Sequence, residues 1–153
     1  MDVLEDEEGV RKDVAWGLDG ATVADAMHPG VISCPHDASL RAVARMMAAY
    51  KVHCVVVFDE PDDADRALLW GIVSDLDLVA GLSEGAVDER TAGEVAGTPI
   101  VTVSAHETLA RACQLMTEHG SAHLVVVDTG SGLPVGVVST LDLARVAAQW
   151  EGR

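Results

Sequence analysis

Cations are scarce in this chain of 153 residues: ten Lys and Arg stand against 25 Asp and Glu, for a formal charge of −15. Such a surface repels a polyanion over most of its area, which excludes nucleic acid as an expected partner. Much of the acidity sits in "DVLEDEE" (2–8) and "DEPDDAD" (59–65), runs that read as solvated tail and loop. Long apolar runs are missing too. "CVVVF" (54–58) falls far short of the roughly 20 residues that cross a bilayer, so no membrane partner is expected. The opening "MDVLEDEEG" has neither the basic stretch nor the apolar core of a secretory signal, and a cytoplasmic location is expected. The three cysteines, Cys34, Cys54 and Cys113, form an odd set without CxxC spacing. This argues against a disulfide framework, and the thiols read as small buried hydrophobes. No Ser-His-Asp or Cys-His order, P-loop, HExxH or glycine-rich dinucleotide turn occurs, so the chain is expected not to be an enzyme.

What is present is a duplication. A shift of 69 residues lays Thr22 on Thr91, Leu40 on Leu109, Met47 on Met116, Val56 and Val57 on Val125 and Val126, and Asp59 on Asp128. Beyond Asp59 the shift falls to 65, because "EPDDADRALLW" makes the first copy's loop four residues longer; loops tolerate such differences. The match then sharpens. Gly71, Val73, Ser74, Leu76, Asp77 and Leu78 recur as Gly136, Val138, Ser139, Leu141, Asp142 and Leu143. The chain therefore divides into an acidic extension (1–21), a first repeat (22–82), a linker (83–90) and a second repeat (91–150).

Each copy reads β-α-β-β-α. "VISC" (31–34) and "PIVTV" (99–103) are short β-branched strands. Leu40, Val43, Met46, Met47 and Tyr50 then space one apolar helix face, with Asp37 or Ser39 as cap, and Leu109, Ala112, Leu115, Met116 and His119 repeat it. "HCVVVFD" and "HLVVVD" are strands apolar enough for burial on both faces. "GIVS" and "GVVS" form the last strand, and a final helix begins at the serine. Trp16, Trp70 and Trp150 lie outside this repeated core and are expected to pack termini and a loop.

The repeated Ser-x-x-Asp has two readings. It is close to a capping box, in which serine accepts a backbone N–H three residues on and the acid reaches back. It also places a carboxylate at a helix start, where free N–H donors and the positive dipole end suit phosphate and ribose oxygens. The six histidines raise a rival, since Cys34, His36, His53, Cys54 and His123 are zinc-ligand types. Their spacing matches no zinc motif.

The duplicated series "TVADAM", an apolar strand, an "L..A..MM" helix, "VVVFD" and "GIVSDLD" resembles the tandem CBS domain family, regulatory modules named after cystathionine β-synthase. The likeness runs from residue 22 to about 148. It implies an α+β fold in which two β-α-β-β-α CBS units pair through their sheets as a pseudo-twofold CBS pair, with two clefts for adenosine-containing ligands. It assigns the ribose to Asp77 and Asp142, with Ser74 and Ser139 turned toward phosphate or ribose. Adenine would lie on the backbone of Val31 and Ile32 in one copy and of Ile100 and Val101 in the other. Thr140, where the first copy has Asp75, and Arg145, where it has Ala80, complete the expected ligand set.

Two departures from the family pattern stand out. Val56 and Val125 replace the proline of its usual Leu-Pro-Val strand, and few cations flank the clefts, with only Lys51 and His28 as helpers beside Arg145. A triphosphate would find little neutralisation. AMP, ADP, a dinucleotide or S-adenosylmethionine is therefore expected in place of ATP. Arg145 shares a helical face with Asp142, so the Asp142 cleft is expected to bind a phosphorylated ligand more tightly than the Asp77 cleft. The function that follows is a non-enzymatic regulatory module that relays its ligand to a separate effector protein. The alternatives are a ligand-free dimerisation scaffold and a metal or redox sensor. "AVARMMAAY" (42–50) and "LARVAAQW" (143–150) offer small-residue helix faces beyond what one sheet pair covers, so a twofold homodimer is expected. Light scattering at micromolar concentration should give the dimer mass; a monomer mass would remove this expectation.

Overall fold

Two β-branched runs per copy, separated by an amphipathic stretch, become a parallel strand pair bridged by a helix. A computed structural model describes residues 18–59, 68–98 and 100–149. The acidic run at 2–8, most of the run at 59–65, Trp16, Pro99 and Trp150 lie outside the described residues. The elements in chain order are α1 (Val23–Ala26), β1 (His28–Pro29), β2 (Ser33–Pro35), α2 (Leu40–Tyr50), β3 (Cys54–Asp59), β4 (Leu68–Ser74), α3 (Asp75–Ser83), α4 (Ala92–Val95), β5 (Thr102–Ser104), α5 (Leu109–His119), β6 (His123–Val127), β7 (Pro134–Ser139) and α6 (Thr140–Gln149). The fold is the α+β arrangement expected, in two compact units. One comprises residues up to Gly30 together with those from Thr102 onward, and the other Val31–Val101.

In the Val31–Val101 unit, β2 runs parallel to β3 and β4 antiparallel to it, in the order β2-β3-β4. Val55, Val56 and Val57 of β3 are fully buried. Complete burial of a valine contributes about 1.5–3 kcal/mol, which explains why this strand carries no polar alternation. Helix α2 closes over the sheet with Leu40, Val43 and Met47 buried, and Ser39 caps it by accepting from the Ala42 amide at 3.1 Å. Tyr50, expected on the same face, is exposed. It occupies the last turn, just before Lys51 turns the chain into the left-handed region. Trp70 lies in β4 and donates its indole N–H to the Gly93 carbonyl at 3.1 Å.

The other unit repeats the plan with one addition. Its sheet runs β1-β7-β6-β5, with Leu124, Val125 and Val126 fully buried in β6 and Leu109, Ala112 and Met116 buried on α5. His119 caps the sequence pattern but stays exposed, as Tyr50 does. The extra edge strand is β1, which pairs antiparallel with β7 through His28↔Val137 and Pro29↔Gly136. Proline is tolerated there because an edge strand can spare a donor.

The structure departs from the sequence expectation in three further places. The leading strands start two and three residues later than "VISC" and "PIVTV" suggest, leaving Val31, Ile32, Ile100 and Val101 outside them. The Ile32 carbonyl accepts from the Val56 amide at 2.9 Å and so marks the entrance to the ladder. The helices α1 and α4 were not anticipated, although Thr22-x-x-Asp25 and Thr91-x-x-Glu94 are capping sequences 69 residues apart. The Thr22 amide and hydroxyl both donate to Asp25 at 3.0 Å, which holds its carboxyl below the ordinary 3.8. Lastly, each short helix docks on the copy it does not precede. Val23 and Ala24 donate to the Glu107 and Ala105 carbonyls at 2.8 and 3.0 Å, while Ala92 and Gly93 donate to those of Ala38 and His36, both at 2.8 Å.

This exchange explains two glycines. A Cβ on Gly71 would lie 2.5 Å from the Gly97 carbonyl oxygen, and one on Gly136 would lie 2.5 Å from that of His28. In each case a returning segment of backbone presses on the last strand. Gly71→Ala and Gly136→Ala should each destabilise the protein by about 1–3 kcal/mol, as overpacking against backbone does. Thermal melts of both variants check this, and an unchanged melting temperature would show that the backbone yields without cost.

Candidate functional site

The last strand of each unit ends in a serine, and the helix that follows starts at once. In the Val31–Val101 unit, Ser74 accepts from the Asp77 amide at 3.1 Å while the Ser74 amide donates to Asp77 Oδ2 at 3.0 Å. In the other unit the Ser139 amide donates to Asp142 Oδ2 at 2.8 Å, the Ser139 hydroxyl lies 3.0 Å from the same oxygen, and the Asp142 amide reaches Ser139 Oγ at 3.3 Å. Both motifs are thus full capping boxes, and the reciprocal bonds fix each carboxylate at the helix start.

Beyond that shared frame the two carboxylates differ. Asp142 is 3% exposed and is the buried charged residue among the described residues. Its Oδ1 lies 3.0 Å from His28 Nδ1 and 3.5 Å from Arg145 Nη1. Burial of a carboxylate requires such partners, since an unpaired one costs several kcal/mol. Asp77 is only half-buried, and among the described residues no hydrogen bond or ion pair engages its Oδ1. It faces a recess of about 180 Å³ lined also by Ala80, Gly81, Glu84, Arg90 and Val95. That volume is below the roughly 300–1,000 Å³ of a ligand pocket, so it receives part of a nucleoside at most.

The structure brings Ser139, Thr140, Asp142 and Arg145 together at one helix start, and Ser74 and Asp77 at the other. Arg145 extends to Asp142 itself, so its charge is partly spent within the motif. Asp75, the first-copy counterpart of Thr140, lies 3.1 Å from His53 Nδ1. No hydrogen bond or ion pair joins Val31, Ile32, Ile100 or Val101 to either aspartate among the described residues. Sequence reasoning missed Arg90, which bonds Glu84 and, at 3.0 Å, Glu94. No motif spacing marks it; its position in the linker is what turns it toward the recess. It also underrated His28, whose counterpart in the second copy is Gly97, a residue of the Val31–Val101 unit. Leu76 and Leu141, the residues just before the two aspartates, are 74% and 51% exposed, so each carboxylate carries an apolar neighbour open to contact.

Gly71 and Gly136, which open the motifs, each allow a close approach. The approach they allow is made by the protein's own backbone. The cysteines carry no disulfide, and burial together with the Asp37 charge pushes the Cys34 thiol up to about 11. Burial raises Cys113 as well. Thiols of this kind stay protonated at neutral pH and react slowly. Among the described residues, no three His, Cys, Asp or Glu side chains gather as metal ligands would, and no helix is long and apolar enough to cross a membrane.

With this geometry in view, the comparisons with known proteins decide the family. The sequence profile of the CBS domain matches residues 23–84 and again 92–149. The chain belongs to the CBS domain family. A curated relative, the uncharacterised protein MJ1404 of Methanocaldococcus jannaschii, is 26% identical over a stretch covering 63% of this chain. The chain spans 27% of that relative's length. The crystal structure of Hypoxic Response Protein I with two coordinated zinc ions aligns at 28% identity and a TM-score of 0.66, covering 82% of this chain and 98% of the other. The CBS domain pair of protein MJ0100, in complex with 5′-methylthioadenosine and S-adenosyl-L-methionine, aligns at 20% identity and a TM-score of 0.69, over 84% of this chain and 96% of that one.

The contrast between the two CBS motifs sets their structural worth. Asp142→Ala removes a carboxylate that Ser139, His28 and Arg145 share, and should cost about 2–4 kcal/mol, the range for breaking a buried charged pair. Asp77→Ala removes a helix cap and should cost about 1 kcal/mol. Denaturant melts of the two variants check the order, and equal losses would show that burial of Asp142 has no energetic consequence.

Proposed function

We propose that this CBS pair is a non-enzymatic regulatory module that binds an adenosine-containing ligand at its Ser-x-x-Asp helix starts and relays that binding to a partner protein. The observation that carries the reading is the doubled capping geometry. Twice the chain places a carboxylate, a serine and a helix N-terminus at one point, the chemistry that a ribose diol and an adjacent phosphate or carboxylate require. Duplication makes these two equivalent binding positions instead of an acid and base pair, which is why no catalysis is assigned. The MJ0100 pair, solved with two adenosine compounds, supports the ligand class.

Charge narrows the class. Arg145 is committed to Asp142, and Arg90 to Glu84 and Glu94, so a polyphosphate meets no unshared cation at these places. AMP, ADP, a dinucleotide or S-adenosylmethionine is favoured over ATP. Self-association is supported by Leu76, Val79 and Leu82, exposed at every third position of α3, and by Leu141 on α6. The zinc ions of Hypoxic Response Protein I raise the metal reading again, but no ligand cluster among the described residues favours it here.

A thermal-shift panel of adenosine, AMP, ADP, ATP, S-adenosylmethionine and zinc tests the reading. A favoured compound at a hundred times its dissociation constant should stabilise the protein by about 2.7 kcal/mol, and Asp77→Ala combined with Asp142→Ala should abolish that shift. Stabilisation by zinc alone, or by none of the compounds, would refute adenosine binding.

A further inference from the structure

Resting on that reading, we propose that His28 is a built-in competitor for the Asp142 carboxylate, so that a ligand carrying a ribose diol binds there only by displacing it. The two motifs supply an internal control. In both, Oδ2 is committed to the preceding serine, an arrangement the helix start needs whether or not a ligand exists. Oδ1 is the oxygen left to accept from a diol. In Asp142 it is taken by His28 at 3.0 Å, with Arg145 at 3.5 Å behind it. The equivalent positions in the Val31–Val101 unit are Gly97, from the second repeat, and Ala80, from the first, which have no side-chain donor to offer. His28 thus holds the place a ribose hydroxyl would take: its Nδ1 lies 3.0 Å from Oδ1 of a carboxylate whose side chain is 2% exposed.

The occupant is also held lightly enough to leave. The His28 side chain is 66% exposed, whereas that of Asp142 is 2% exposed. It is carried on a strand of two residues at the edge of its sheet, followed by one further backbone bond from Gly30 to the Val135 carbonyl at 2.9 Å. Release of so short a segment breaks few bonds and leaves β6 and β7 paired. The Asp142 motif therefore starts closed. Arg145, 3.5 Å from the same carboxylate, is shared between Asp142 and any anionic group of a ligand, which offsets the charge advantage that the sequence assigns to this copy.

Titration calorimetry with adenosine and 2′-deoxyadenosine on the full chain tests this in four forms: wild type, His28→Ala, His28→Asn and His28→Ala with Asp142→Asn. His28→Ala should tighten adenosine by roughly tenfold, because the close contact between His28 and the buried carboxylate no longer has to be broken. Deoxyadenosine, without the diol, should gain nothing. His28→Asn, which restores a donor at the Nδ1 position, should return adenosine to wild-type affinity, and Asp142→Asn should cancel the gain. Circular dichroism of each variant verifies the fold. If wild type binds adenosine and His28→Ala binds it no tighter, or the gain survives Asp142→Asn, the competitor is refuted while adenosine binding stands. Should no form bind adenosine at millimolar concentration, the binding reading fails and the competitor fails with it.

Discussion

Each unit depends on the reciprocal bond between a serine that ends a strand and the aspartate three residues on. A helix start leaves amide donors without partners, and a strand end leaves its last amide pointing out of the ladder. The Ser74 and Asp77 pair satisfies one of each in two bonds, and Ser139 with Asp142 does the same. The turn from strand to helix therefore takes no loop residues at all: β4 ends at Ser74 and α3 begins at Asp75. With the helix fixed so tightly to the strand, Leu78 is carried into the core beside Val55, Val57 and Val73, and the carboxylate stands at one defined point. Any ligand chemistry at that point is borrowed from a structural bond.

A second constraint follows, because the strand that ends at the serine is also where the other end of the chain's hairpins returns. In one unit this is an isolated bridge, Ile72↔Gly97, and in the other it is the strand β1. Both bring a carbonyl to the same depth, and only a glycine fits beneath it. In the unit that holds β1 the same segment also reaches the carboxylate, with His28 Nδ1 3.0 Å from Asp142 Oδ1. The counterpart of His28 in the other unit, Gly97, has no side chain to offer.

Much of this was legible in the sequence. The valine runs, the apolar spacing from Leu40 to Met47 and from Leu109 to Met116, and the two Ser-x-x-Asp motifs each carry a strong local signal, since burial and capping act over a few residues. What escaped was set by contacts across long separations. The docking of α1 on 105–107 and of α4 on 36–38 joins segments more than fifty residues apart, and a helix of four residues has almost no periodicity to read. Its capping threonine was the one local mark, and it was aligned without being recognised. Likewise His28 and Arg90 sit in no motif. Each becomes part of a site because β1 and the linker fold back, and residue type alone says nothing of that.

The duplication has therefore kept one frame and let two chemistries drift apart within it. Ser74 and Ser139 do the same work, and so do Gly71 and Gly136. The differences gather on a single oxygen. Where Gly97 and Ala80 offer Oδ1 of Asp77 no side-chain partner, His28 and Arg145 flank that of Asp142, and a carboxylate can be buried to 3% exposure only because they do. Enclosure and ligand binding are alternative ways to satisfy the same acceptor, so a gain in one is a loss in the other. Adding a cation beside the second motif, which in sequence looks like an improvement of a phosphate site, has in three dimensions served first to stabilise the protein's own buried charge.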